Sequence, residues 1–89
     1  MIKVLVADDH PVVREGLKQI LSEAQDIKVT AEAEDGHEIL DKVRNQEFDV
    51  IVLDITMPGM MGLDVLKQLK SEKPELPVLI LSMHPEEQC

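Results

Sequence analysis

Three carboxylates stand directly after two apolar segments of the chain, and they are the residues best suited to do chemistry. Asp8 and Asp9 follow the apolar run 2–7, and Asp54 follows the run 50–53. Both runs are short and rich in β-branched residues, which is typical of parallel strands covered on both faces. If the strands are neighbours, the acids meet at one edge of the sheet, where their repulsion favours a cation among them. Such oxygen ligands suit Mg²⁺, which binds one or two carboxylates with water and phosphate oxygens. The pattern therefore predicts a magnesium site for phosphate chemistry.

Each acid also has a simpler interpretation. Asp9 could cap the first helix, and Asp54 could form a turn with its own backbone. A helix cap needs only one acid, however, and Asp8 is left over. The three acids in one layout therefore favour the metal interpretation.

Segments with strand and helix patterns alternate along the chain. Predicted strands cover 2–7, 27–33, 50–53 and 78–81, and predicted helices begin near Pro11, after Asp35 and near Gly62. This order implies right-handed crossovers and a parallel sheet with helices on both faces. The continuous apolar first and third strands belong in the middle, and the alternating second strand belongs at an edge. The predicted strand order is 2-1-3-4, with its reversal point between the first and third strands, where open α/β sheets bind ligands.

Apolar residues recur at helical spacing in all three helices and predict the faces that pack on the sheet. These residues are Val13, Leu17, Ile20, Leu21 and Ala24 in the first helix, Ile39, Leu40 and Val43 in the second, and Leu63, Leu66 and Leu69 in the third. The acids Glu32, Glu34 and Asp35 are expected to form a solvated rim.

Composition excludes several classes of protein. A length of 89 residues predicts one domain. Because Phe48 is the only aromatic residue, the core is expected to be aliphatic. The chain also lacks the several aromatic rings on which the bases of single-stranded nucleic acids stack. Eighteen acids against nine Lys and Arg give a formal charge of −9, which disfavours a phosphate backbone and favours metal ions and basic protein surfaces. Direct nucleic-acid binding is therefore not expected.

Cysteine use and hydropathy bear on the compartment. No apolar run reaches the length of a membrane helix, and the N-terminus lacks the features of a signal peptide. The single cysteine, Cys89, cannot form an intramolecular disulfide and is expected to be an exposed thiol. A reducing cytoplasm is the expected location.

The fourth predicted strand, 78–81, reads as an interior strand although it stands near the end of the sequence. As an outer strand it would present unpaired backbone groups and bare aliphatic side chains. One interpretation is that the tail 84–89 shields it. We favour pairing of this strand with a second copy, and we expect a dimer or a higher assembly.

Three segments together resemble the receiver domain of two-component response regulators, in particular the NarL/FixJ type. They are VLVADDHP at 4–11, VLDITMPGMMGL at 52–63 and LSMH at 81–84. The resemblance implies a flavodoxin-like (CheY-like) doubly wound α/β fold. It also implies that residues 1–89 form a truncated receiver, which lacks the last α-β-α portion and the lysine at the end of the fifth strand.

The resemblance implies a role for each site residue. Asp54 would accept a phosphoryl group from a sensor histidine kinase or a small donor. Asp9 and Asp54 would bind Mg²⁺ through their side chains, Thr56 through its backbone carbonyl, and Asp8 largely through water. Ser82 would hydrogen-bond a phosphoryl oxygen. Without the lysine, phosphorylation and switching are expected to be impaired.

Two functions from different classes follow. The first is a signalling module that takes a phosphoryl group; the second is a self-associating interaction protein whose acidic site is vestigial. A flavin-binding or phosphohydrolase function ranks last, because no glycine-rich phosphate loop follows the first strand. His10 and His84 are expected to be exposed loop residues rather than metal ligands.

Overall fold

Four strands and three helices alternate in the computed structural model, which describes residues 1–54 and 62–81, with the backbone alone at positions 54, 62 and 63. The elements are β1 (Ile2–Ala7), α1 (Pro11–Ser22), β2 (Ile27–Ala33), α2 (Gly36–Asn45), β3 (Val50–Asp54), α3 (Gly62–Glu72) and β4 (Val78–Leu81). The strands agree with the predicted segments except that β3 extends one residue further, to Asp54, and the helices begin where predicted.

All four strands are parallel and follow the order β2-β1-β3-β4. The predicted order and the doubly wound α/β class are therefore confirmed. Ala7 at the end of β1 is level with Ala33 on β2 and with Leu53 on β3. The carboxyl ends of the three strands thus share one edge of the sheet, which is the edge where the acids stand.

The core is aliphatic, as predicted, and lies on both faces of the sheet. The larger cluster packs between the sheet and the helices α2 and α3, and its buried members are Leu5, Ala7, Ala33, Ile39, Leu40, Val43, Ile51, Leu53, Val65 and Leu69. Phe48 is partly buried against this cluster. A smaller cluster under α1 joins Val4, Val6 and Val52. Both central strands are therefore covered on two sides, as their continuous apolar runs require.

The prediction for α1 was too broad. No residue of this helix is fully buried, and only Leu17 and Leu21 pack against the smaller cluster. Ile20 is 65% exposed and Ala24 lies beyond the helix end. Because successive helical residues are rotated by about 100°, the five apolar residues spread over a wide part of the helix surface. Only the part of that surface that faces the sheet is in contact with it.

The other two helices follow their patterns more closely. Ile39, Leu40 and Val43 of α2 are all buried, as predicted. In α3, however, Val65 is buried with Leu69, whereas Leu66 is only partly buried. The side chain of Leu63 lies outside the described residues. None of the three helices, over the described part of the chain, is long and apolar enough to cross a membrane.

Asp35, predicted to lie in a solvated rim, is half-buried and also has a structural role. It is the N-cap of α2, and its side chain accepts a hydrogen bond of 2.9 Å from the backbone N–H of Glu38. The Glu38 carboxylate in turn accepts from the Glu34 N–H at 2.6 Å. These two contacts satisfy backbone donors at the start of the helix.

Strand β4 is only partly covered, as expected of an outer strand with this apolar sequence. Leu79 is 55% exposed and Ile80 is 38% exposed. The two side chains point to opposite faces of the sheet, because successive strand residues alternate. Within residues 1–54 and 62–81, β3 is the one strand that pairs with β4.

Candidate metal and phosphoacceptor site

The register brings the acidic positions to one edge of the sheet. Since Ala7 is level with Leu53, Asp8 and Asp54 are the next residues on two adjacent strands. Asp54 is the last residue of β3 and is level with Leu81 of β4. The Asp54 side chain lies outside the described residues.

Three further residues named from the sequence also lie outside the described part of the chain. They are Thr56, Ser82 and His84. The geometry of the site is therefore built from its β1 side, where residues 8–10 are described in full.

Asp8 is fully buried and firmly held. Its backbone N–H donates to the carbonyl of Ala33 at 3.0 Å, which extends the β1–β2 pairing by one residue. Its Oδ1 accepts a hydrogen bond of 2.8 Å from the backbone N–H of His10. A buried carboxylate is costly unless such partners or a metal compensate for the lost water.

Asp9 is partly exposed and is not the helix cap that the simpler interpretation assumed. The N-cap of α1 is His10, whose side chain makes no capping hydrogen bond. Asp9 Oδ1 is shielded from solvent and accepts no hydrogen bond from the described residues, although His10 Nδ1 lies 2.8 Å away. The two atoms are close, but the contact lacks hydrogen-bond geometry.

His10 contacts both acids, which its prediction as an exposed loop residue did not include. Its side chain is exposed, as predicted, but Nδ1 lies 3.2 Å from Asp8 Oδ1 and 2.8 Å from Asp9 Oδ1. One ligand atom from each of the three residues falls within 4.8 Å of the others. The adjacency of the three residues before the helix was the available signal for this cluster.

The donor set fits the predicted ion. Asp8 and Asp9 offer hard carboxylate oxygens, and Asp9 Oδ1 is a shielded acceptor to which none of the described groups donates. Magnesium prefers oxygen, whereas imidazole nitrogen suits later transition metals. The two carboxylates, rather than His10, are therefore the groups that match Mg²⁺.

A network of charged side chains lies behind the acids. Arg14 Nη1 donates to the backbone carbonyl of Asp8 at 2.6 Å, and Arg14 Nε donates to Glu32 at 3.2 Å. The other oxygen of Glu32 accepts from Lys18 at 2.8 Å, and Lys18 also donates to Glu15 at 2.9 Å. The hydrogen bond from Lys18 lowers the pKa of Glu32 and, reciprocally, raises the pKa of Lys18. Glu32 was predicted to lie in a solvated rim; it is partly exposed and is also paired with both cations.

A separate cavity of about 530 Å³ opens at the opposite end of the sheet. Its lining includes Phe48 and Asp49 before β3 and Leu76 and Pro77 before β4. Because these residues precede the strands, the cavity is distant from the acids and takes no part in their site.

The fold and the acidic pair at its reversal point define a doubly wound α/β domain with a candidate metal site. Comparison with known proteins identifies its family. Residues 4–89 match the response regulator receiver domain family. The chain therefore belongs to this family, and the resemblance seen in its motifs is confirmed.

Curated relatives point to the NarL/FixJ branch. The chain is 37% identical over 86 residues to the transcriptional regulatory protein DegU of Brevibacillus brevis, covering 97% of this chain and 36% of that protein. It is 40% identical over 88 residues to the oxygen regulatory protein NreC of Staphylococcus haemolyticus, covering 98% and 41%. The chain thus spans about two fifths of the length of these relatives.

Solved structures agree with the fold. RcsB from Salmonella enterica serovar Typhimurium, bound to promoter rprA with the phosphomimetic BeF₃⁻, matches with a TM-score of 0.89 and 28% identity, over 97% of this chain and 72% of that one. The isolated REC domain of the same protein with BeF₃⁻ matches with a TM-score of 0.88 and 28% identity, over 96% and 64%. The CheY-like fold is therefore confirmed.

Proposed function

We propose that this chain is the phosphoacceptor module of a two-component signalling system, with Asp54 as the residue that takes the phosphoryl group. The supporting observation is the acidic pair at the end of β1, next in register to the end of β3 in a member of the receiver family. In this proposal Mg²⁺ is held by the side chains of Asp9 and Asp54, by the backbone carbonyl of Thr56, and by Asp8 largely through water.

The proposed reaction is an in-line phosphoryl transfer. A carboxylate oxygen of Asp54 forms a bond to phosphorus while the bond from phosphorus to the donor breaks, and the donor leaves with that electron pair. The donor is a phosphohistidine of a sensor histidine kinase, or acetyl phosphate, which leaves as acetate. When bound, Mg²⁺ offsets the negative charge of the phosphoryl oxygens. Ser82 donates a hydrogen bond to one of these oxygens.

The proposed protein partner follows from the family, and the net charge argues against DNA as a partner. A sensor histidine kinase is the expected donor, and the cytoplasm is the proposed location. The name of DegU refers to regulation of transcription. We extend this role to the present chain only as reception of the signal. Direct DNA binding by residues 1–89 is not proposed, because their formal charge of −9 opposes a phosphate backbone.

The first test is phosphorylation of the chain with acetyl phosphate and Mg²⁺, read by intact-mass and peptide mass spectrometry. We expect the mass of one phosphoryl group on the peptide that contains Asp54, and its loss in Asp54→Asn. The control Asp26→Asn removes an exposed acid away from the site and should leave the adduct unchanged. Formation without Mg²⁺, or an adduct on another residue, would contradict the proposed roles.

A second candidate function is favoured by the exposure of β4. Leu79 and Ile80 are large apolar residues on both faces of a strand at the end of the sheet order. An edge strand of this kind can pair with a second copy through its backbone. We propose self-association at β4, and complete absence of the Asp54 adduct would favour an interaction function with a vestigial acidic site.

A further inference from the structure

We propose that Arg14 is a positioning residue for the metal site, which sets the orientation of the Asp8–Asp9 backbone without touching the ion or the phosphoryl group. This inference rests on the proposed function. It assigns a role to a side chain of α1 that the metal and phosphoryl chemistry does not use directly.

The backbone of Asp8 is held from both sides. Its N–H donates to Ala33 of β2 at 3.0 Å, and its carbonyl accepts from Arg14 Nη1 at 2.6 Å. That carbonyl belongs to the peptide group that joins Asp8 to Asp9. Because a peptide group is planar, fixing its carbonyl also fixes the direction in which the chain enters Asp9.

Arg14 is itself held in place. Its side chain is 14% exposed, and Nε donates to Glu32 at 3.2 Å on the strand that flanks β1. The guanidinium is a planar fork, so one group contacts the strand and the loop with a fixed angle between the two contacts. A lysine ammonium carries no such fork and cannot reproduce both contacts with the same geometry.

Lys18 provides a matched control because it lies one turn later on the same helix and binds the same carboxylate. Its Nζ contacts Glu32 Oε2 at 2.8 Å and Glu15 at 2.9 Å. The described contacts of Lys18 therefore tie α1 to β2, as those of Arg14 do, but do not reach the Asp8 carbonyl. A difference between substitutions at the two positions isolates the contact with the acidic loop.

The experiment measures Mg²⁺ binding to the full chain by isothermal titration calorimetry, together with thermal unfolding in metal-free buffer. Arg14→Met keeps the apolar stem and removes both donors. We expect it to raise the Mg²⁺ dissociation constant by about 10-fold or more, the scale found when groups that orient metal ligands are removed. Lys18→Met should bind Mg²⁺ as the wild type does, and Arg14→Lys should fall between the wild type and Arg14→Met.

The outcomes separate the two proposals. If the wild type does not bind Mg²⁺, the proposed function fails, and this inference fails with it. If the wild type binds Mg²⁺ and folded Arg14→Met binds it equally well, only the positioning role is overturned, whatever the change in thermal stability. An equal loss of Mg²⁺ affinity in Arg14→Met and Lys18→Met would also overturn the positioning role. If Arg14→Met does not fold, Arg14→Lys decides the matter, since wild-type affinity in that variant would refute the requirement for a fork.

Discussion

At the scale of single residues, the pair of adjacent acids, Asp8 and Asp9, is the feature that needs explanation. Asp8 is fully buried and Asp9 follows it directly, so two carboxylates are held next to each other. Charges of like sign a few ångströms apart repel by about 1 kcal/mol even in water-like surroundings. A fold with this arrangement gives up stability that a bound cation can restore.

Asp9→Asn tests this cost directly. Removing one of the two charges should raise the stability of the metal-free protein by about 1 kcal/mol, or roughly 4–8 °C in Tm for a domain of this size. The same change should abolish the increase in Tm that Mg²⁺ causes in the wild type. Thermal unfolding followed by circular dichroism, with and without Mg²⁺, measures both effects. A metal-free variant less stable than the wild type would show that Asp9 is a structural acceptor instead.

At the scale of elements, an ion pair joins the two helices on one face of the sheet. Arg44 of α2 donates to Glu72 of α3 through Nε at 2.8 Å and through Nη2 at 2.5 Å. Gln68 donates to the same carboxylate at 2.7 Å. The hydrogen bond from Arg44, followed by that from Gln68, lowers the pKa of Glu72 to about 2 from an ordinary 4.5. The ion pair therefore makes the contact between the helices sensitive to pH.

The sign of this pH dependence follows from the lowered pKa. The stabilisation by Glu72 is complete above pH 4.5 and is lost as the pH falls from there towards about 2. We expect Arg44→Gln to be less stable than the wild type at pH 7, with a difference that shrinks below pH 4.5. Urea unfolding at a series of pH values measures it. Lys42→Gln removes a charge from the same helix and serves as the control, and an equal pH dependence in both variants would refute the role of the pair.

At the scale of the whole molecule, coverage of the sheet is uneven. The central strands are buried on both faces, whereas β4 leaves Leu79 and Ile80 exposed on opposite faces. Exposed apolar strands at an edge are sites of association between chains. The expectation of a dimer or a higher assembly through β4 therefore stays a prediction, and the structure identifies the side chains that test it.

Leu79→Lys should shift the chain towards the monomer. A charge on an edge strand opposes pairing and removes an apolar side chain from the contact. Light scattering coupled to size-exclusion chromatography measures the change across a range of concentrations. Val12→Lys is the control, because Val12 is also an exposed apolar residue, 83% exposed on α1, away from the strand. A monomeric wild type, or the same shift in both variants, would refute association through β4.

The sequence by itself determined the elements, their order in the sheet and the edge where the acids stand. Strand ends and apolar runs are local properties, and the rules for parallel crossovers leave few topologies for such a pattern. The motifs around Asp8 and Asp54 were specific enough to identify the receiver family before any geometry was known. The narrow contact face of α1 was not predicted, because the width of a buried strip depends on what the helix meets.

Only the tertiary structure decided how the site is supported. The contact from Arg14 to the Asp8 carbonyl and the sharing of Glu32 by Arg14 and Lys18 join residues from separate elements. Periodicity does not report such contacts, since an exposed and a paired charge look alike in a sequence. The predicted strand order already implied bare aliphatic side chains on the outer strand, but only the structure shows that Leu79 and Ile80 are the ones exposed.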